Sequence, residues 1–336
     1  MNKFKTFIGI DVSKKTFDAA VLQDTDPQQI HHRSFAQSVR GYASFYQWLI
    51  EQGATSEILV CLEHTGIYIN GLVEFLIQQG LAVWVEMPLR IKKCMGLQRG
   101  SNDKLAAIHI AKYAWRYRDE KRLWQPTDTN LEELRHYIAQ RDRIVLALTQ
   151  LSVPVAELAE VGQQKHSQKL ARLQAQAIRS LKKSMEKIET AINELIESDI
   201  KIKVIVERVS SIKGIGKQTA INLYVYTKGF TEFENGKQLA CYCGVVPFTK
   251  SSGTSVRYKT GVSPFANRKL KKLLHLCAMA AIRWNEDMKQ YYERKVKEGK
   301  NKMSVINAVR NKLVLRIFAV VRDERIYVEK LYPAGA

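Results

Sequence analysis

Apolar residues follow two different rhythms along the 336-residue chain, and the change between them divides it. Up to about residue 125, short apolar runs alternate with amphipathic stretches. The runs at 7–11, 17–22 and 30–35 predict three strands, the first two joined as a hairpin around Val12-Ser13-Lys14-Lys15. A helix is expected at 42–51, a strand at 58–63, a helix at 67–79 closed by Gly80, and a strand at 81–86 stopped by Pro88. A further helical pattern starts at Asp103. The order β-β-β-α-β-α-β-α reads as a mixed sheet flanked by helices. The runs ending on Asp11 and Glu63 are apolar without alternation, as central strands covered on both faces are.

From about Asn130 the rhythm is helical only. Leu131, Leu134, Ile138, Val145 and Leu148 mark one face, and Pro154 with Gly162 predicts an interruption. A second helix is expected over 167–197, where Ile178, Leu181, Met185, Ile188, Ile192 and Leu195 recur at spacings of three and four. That is the seam of a coiled coil, and the charged surface around it favours self-association; the alternative is a hairpin packed only on its own chain.

A third segment opens near Lys203. In Ile212-Lys213-Gly214-Ile215-Gly216-Lys217 two glycines around an apolar residue predict the tight turn of a helix-hairpin-helix. The following helix start would offer free N–H groups to a phosphate, with Lys213 and Lys217 adding charge. The alternative is a helical corner buried in a core. Basic helices follow: Arg268-Lys269-Leu270-Lys271-Lys272 leads into 273–284, the stretch 291–302 is strongly cationic, and 303–321 is more apolar. Any one charge run fits a solvated face. Their number, with Trp284, Tyr291 and Tyr292 among them, favours a surface that tracks a nucleic-acid backbone.

The charge balance agrees. The chain has 53 Lys and Arg against 33 Asp and Glu, a net +20, which makes nucleic acid the default partner. No apolar run approaches the roughly 20 residues of a membrane span. Met1-Asn2-Lys3-Phe4-Lys5-Thr6 leads straight into a strand, so no secretory signal is expected. Five cysteines without a CxxC spacing suit a reducing cytosol and read as core residues.

Within that frame the acids carry chemistry. Asp11 and Glu63 each end a central strand, at the positions where an RNase H-like nuclease keeps its metal ligands, and Asp103 lies further on. Carboxylates a few ångströms apart cannot both ionise cheaply. A hard cation such as magnesium, which prefers oxygen ligands and commonly partners phosphate chemistry, resolves the conflict.

Gly9-Ile10-Asp11-Val12-Ser13-Lys14, Leu62-Glu63-His64-Thr65-Gly66, Asn102-Asp103-Lys104, Ile212-Lys213-Gly214-Ile215-Gly216 and Ser252-Gly253-Thr254-Ser255-Val256-Arg257 occur in that order. The set resembles the Piv/MooV-type DEDD transposases of the insertion-sequence-110 group over nearly the whole chain. The resemblance implies an α/β plus α chain in three parts: a RuvC-like RNase H fold domain at 1–127, a helical coiled-coil segment at 128–202, and a mainly helical transposase domain with a helix-hairpin-helix at 203–336. It implies a recombinase guided by a structured RNA that pairs with donor and target double-stranded DNA. Such proteins bind magnesium, or manganese in its place, through four acids, and a serine forms a covalent phosphoserine link to DNA. The acids fall on Asp11, Glu63 and Asp103, and the serine on Ser252, with Ser255 its rival in the same loop. Lys213, Gly214, Gly216, Lys217, Arg257, Lys269, Lys271 and Lys272 are the expected nucleic-acid contacts. A homo-oligomer, dimer or tetramer, in a bacterial or archaeal cytoplasm at the nucleoid completes the expectation.

This chain departs from the pattern at one position. The fourth acid belongs three residues after the third, and Ala106 stands there. Asp18 does not occupy the needed position. An engineered loss, a naturally decayed copy, and a metal held by three acids plus water all remain open. So do two other functions: a Holliday-junction resolvase-like nuclease using water as attacker, and a non-catalytic nucleic-acid-binding protein.

Overall fold

The structure, a computed structural model, describes residues 4–54, 57–94, 102–126, 128–248, 251–252, 256–257, 261–262 and 266–328; at 248, 251–252, 256–257 and 261 the description is of the backbone alone. The chain divides into two compact units, Met1–Pro126 and Thr127–Ala336.

The first unit is built on a five-stranded sheet. Strand β1 (Thr6–Val12) pairs antiparallel with β2 (Thr16–Gln23), and β2 with β3 (Asp26–Ala36). After α1 (Val39–Glu51), β4 (Ile58–Glu63) returns parallel to β1. A 3-10 turn (Gly66–Ile69) leads into α2 (Asn70–Gln78), then β5 (Ala82–Glu86) runs parallel to β4, giving the order β3-β2-β1-β4-β5. Helices α3 (Pro88–Cys94) and α4 (Asp103–Arg116) complete the unit. This is the mixed, RNase H-like arrangement expected, with three antiparallel strands extended by two parallel ones.

Alternation sorts the strand residues between two cores. Ile8, Ile10, Val60, Leu62 and Val83 pack on one face with Phe45 and Leu49 of α1 and Leu72 and Leu76 of α2. Phe7, Leu59, Cys61 and Trp84 pack on the other with Ala107, Ile110 and Ala111 of α4. Burial on both faces explains the unbroken apolar runs of β1 and β4. The helix expected over 67–79 differs: without a side-chain cap, its first turn tightens into 3-10 bonds.

In the second unit, α5 (Thr129–Glu160) and α6 (Gln164–Ser198) form a hairpin. Pro154 does not interrupt α5 as expected; the break comes at Gly162. Proline removes one N–H and crowds one carbonyl, and the long contact with α6 outweighs that local loss. The predicted seam is half-buried or buried from Ile178 to Leu195, and Ile192 and Ile196 join Leu131, Leu134 and Ile138 of α5 in one core. That core continues into α7 (Ile200–Ser210), α8 (Lys217–Tyr226) and α9 (Gly236–Tyr242).

Four two-residue strands follow. β6 (Pro247–Phe248) is followed by β7 (Ser251–Ser252), which pairs with β8 (Val256–Arg257), and β6 itself pairs with β9 (Gly261–Val262). Helices α10 (Arg268–Trp284), α11 (Glu286–Lys297) and α12 (Lys302–Arg322) close the unit. The cationic stretch 291–302 is therefore not one element. It ends α11 and opens α12, because Asn301 caps a new helix by accepting from the N–H groups of Met303 and Ser304.

No described helix is long and apolar enough to cross a membrane. All five cysteines are free.

Candidate metal centre and nucleic-acid interface

Residues paired across neighbouring strands share a face of the sheet. Asp11 pairs with Asp18, and Glu63 with Glu86. Ile10 pairs with Leu62, so Asp11 and Glu63 continue the same ladder one step on. Four carboxylates, Asp18, Asp11, Glu63 and Glu86, thus cross β2, β1, β4 and β5 in one row. They share the α4 face with Phe7, Ala20, Cys61 and Trp84.

Helix α4 lies on this face because of Gly9. A Cβ there would stand 2.1 Å from the Ala111 nitrogen and 2.2 Å from the Ala107 carbonyl oxygen. One turn before Ala107 comes Asp103, on the helix's first turn, where the side chain of Asn102 accepts from the Leu105 N–H at 2.8 Å. A carboxylate suits a helix start, where the peptide dipoles present their positive end.

The outer members of the row are satisfied. Asp18, buried, accepts from His32 Nε2 at 2.7 Å and from Ser34 Oγ at 3.3 Å. Glu86, also buried, accepts from Arg90 Nη1 at 3.0 Å, Tyr113 OH at 3.1 Å and the Met87 N–H at 2.8 Å. The inner members differ: among the described residues, neither Asp11 nor Glu63 has an ion pair. Burial raises the Asp11 carboxyl above its usual range, and the charges of Asp103 and Asp18 raise it further. Burial raises Glu63 as well, with Asp11 adding to it and Lys92 opposing. Asp11 therefore feels the charge of Asp103, and Glu63 that of Asp11.

The donors are hard oxygens on half-buried Asp11 and Glu63 and on exposed Asp103, like charges that repel, a chemistry that fits a divalent cation. Among the described residues no three such side chains converge closely enough to hold an ion as they stand. Ala106, half-buried three residues after Asp103, brings no oxygen to the set. Sequence reasoning did not single out Glu86 or the His32 and Ser34 partners of Asp18. Glu86 carries the same signal as Glu63, an acid ending a buried strand, but Arg90 one helical turn on takes its charge.

In the second unit, α7 and α8 form the expected helix-hairpin-helix. Gly214 has φ +96° and would carry a Cβ 2.8 Å from the Ala281 backbone nitrogen, so only glycine fits the turn. Gly216 begins α8 without a side-chain cap. Lys213 is exposed, and Lys217 donates to Asn193 Oδ1 at 2.7 Å. Lys269 ion-pairs with Asp142 and lies over the Tyr226 ring. Lys271 is half-buried and Lys272 exposed. Ser252 pairs with Val256 through the backbone; its side chain and that of Arg257, and the whole of Ser255, lie outside the described residues.

Two family models match in succession: an IS110-group DEDD transposase model over residues 8–159, and one described as transposase IS116/IS110/IS902 family over 206–293. The chain carries both domains of the IS110-family transposases. In this IS110-type transposase, Asp11, Glu63 and Asp103 fall within the first match, and the Gly214–Gly216 turn and Ser252 within the second. The pilin gene-inverting proteins of Moraxella lacunata and Moraxella bovis are each 26% identical over 98% of this chain and 99% of their own length. An uncharacterised protein of insertion element IS110 from Streptomyces coelicolor is 30% identical over 48% of this chain and 38% of its own. Among solved structures, T. thermophilus RuvC in complex with a Holliday junction substrate matches 36% of this chain and 99% of its own, with 12% identity and a TM-score of 0.29. Membership of the IS110 family makes the chain a transposase-type DNA recombinase.

Proposed function

We propose that this transposase cuts and rejoins DNA by a metal-dependent serine route, directed by a structured guide RNA, and that Ala106 impairs it. One observation carries the metal-dependent part. Asp11 and Glu63 lie side by side with no ion pair among the described residues, while the acids flanking them in the same row, Asp18 and Glu86, are partnered. Such a pair is costly to keep charged unless a cation joins it.

Asp11, Glu63 and Asp103 would hold magnesium or manganese. When bound, the ion supplies positive charge to the phosphate oxygens as the reaction proceeds. Ser252 is the proposed nucleophile: its Oγ–phosphorus bond forms as the bond to the leaving sugar oxygen breaks, and the hydroxyl proton passes through water to that oxygen. The ester retains the bond energy, so a second sugar hydroxyl can displace the serine and reseal the strand. The basic residues around the Gly214–Gly216 turn and on α10 would hold the nucleic acid through its backbone. Similarity to pilin gene-inverting proteins over the full length supports a DNA rearrangement as the outcome.

Ala106 favours a second reading, a chain that binds nucleic acid and does not cut. Both are tested with DNA, the RNA that copurifies, and magnesium, comparing the chain with its Ala106→Asp variant. The proposal expects faster cleavage by Ala106→Asp and a protein–DNA adduct that Ser252→Ala abolishes. Equal rates would clear Ala106 of any role. Cleavage that survives Ser252→Ala without an adduct would indicate a nuclease that uses water. No cleavage by either chain would favour the binding-only reading.

A further inference from the structure

Arg310 of α12 is only 7% exposed, yet no carboxylate lies within ion-pair distance of it among the described residues. Its Nη2 donates to His275 Nδ1 of α10 at 2.7 Å, and its buried Nε has no hydrogen-bond partner among the described residues. A guanidinium buried without an acid is costly, and an unused donor adds to the cost. Since a guanidinium can only donate, the His275 ring must accept at Nδ1 and carry its proton on Nε2, a second donor.

The neighbouring contacts tie Arg310 to the start of the serine-bearing segment. Asn307, one turn before Arg310, donates from Nδ2 to the Val245 carbonyl at 2.8 Å. Gly244, next to Val245, faces Lys271, whose Cδ would lie 3.5 Å from a Cβ on that glycine. Lys271 and His275 are four residues apart on α10 and so share a face. Lys271 also has no ion pair among the described residues. Lys271 of α10 and Asn307 of α12 thus both reach Gly244-Val245, just ahead of β6 and the segment that carries Ser252, and His275 and Arg310 join the same two helices one turn further along each.

We propose that Lys271, His275 and Arg310 form a cradle for one phosphate of the DNA backbone at the root of the serine-bearing segment. The anion supplies the charge that Arg310 lacks, and the fork of a guanidinium suits paired phosphate oxygens. That the phosphate belongs to DNA rests on the recombinase reading; that the site takes phosphate does not.

The test uses the full chain. Inorganic phosphate, compared with chloride at equal ionic strength, should raise the melting temperature. Arg310→Gln should weaken phosphate binding at least tenfold, Arg310→Lys should weaken it less, and Lys271→Gln should weaken it without disturbing the core. The slope of log affinity for DNA against log salt should fall by about one in Arg310→Gln. If Arg310→Gln does not fold, Lys271→Gln and His275→Gln carry the comparison. Equal protection by phosphate and chloride, or equal phosphate affinity in every variant, overturns the cradle. An unchanged salt slope overturns its assignment to DNA. Phosphate protection with no DNA cleavage by either this chain or its Ala106→Asp variant would uphold the cradle while removing the recombinase reading.

Discussion

Gly9 of β1 and Ala111 of α4 are backbone neighbours: a Cβ on Gly9 would lie 2.1 Å from the Ala111 nitrogen. This contact sets how far α4 stands above the sheet, and so how near Asp103 comes to Asp11. The atoms in the way are backbone, which cannot turn aside as a side chain can. Gly9→Ala is therefore expected to cost about 3 kcal/mol or more, read by urea unfolding. Cleavage should fall further than the loss of folded protein explains, because the helix carrying Asp103 must move outward.

Asp11 has its carboxyl raised by burial first and by Asp103 and Asp18 next. In metal-free protein a group raised in this way lends stability below the ordinary carboxylate range and loses it as pH rises through its folded value. Asp11→Asn should therefore raise the melting temperature of metal-free protein at about pH 7, with the gain vanishing near about pH 3. Millimolar magnesium should reverse the order, because only the aspartate gains a ligand. Cleavage should drop on the order of a hundredfold or more. A metal-free Asp11→Asn protein less stable than its parent at neutral pH would contradict the uncompensated pair.

Glu86 depends on Arg90 for charge. Arg90→Met leaves a buried carboxylate with Tyr113 and one backbone N–H, and should cost about 2 kcal/mol in denaturant unfolding. Glu120→Gln removes the outer, exposed partner of the same arginine and should cost less than about 1 kcal/mol. Equal effects would mean that the Glu86 pair is no more than a surface contact.

Gly214 combines a left-handed backbone with close approach to Ala281. Gly214→Ala should destabilise the second unit by about 2 kcal/mol, measured as a shift in its unfolding midpoint. Gly216→Ala, with open space at its Cβ and φ −83°, should cost much less. The contrast separates the glycine the turn needs from the one it tolerates.

Much of the first unit was legible because its signals are local. Apolar runs without alternation marked β1 and β4 as central, and an acid ending each run is visible one residue at a time. Ala106 stood out only through the resemblance, whose pattern puts an acid three residues after Asp103. Pro154 misled because its effect depends on what the helix packs against, and α5, packed on α6, stays helical through it. The cationic stretch at 291–302 misled because a cap at Asn301, a single side chain, outweighs a run of similar charges.

Sequence alone determined the strand and helix rhythm, the acids at strand ends, the glycine turn and the excess of basic residues, since each follows from neighbours within a few positions. Tertiary structure decided which acids keep a charge partner. Strand register sets Asp18, Asp11, Glu63 and Glu86 in one row, and His32 and Arg90 reach only the two ends. It likewise left Arg310 buried beside His275, from helices far apart in the chain. Charge compensation is a property of space, and only the folded chain states which side chains share it.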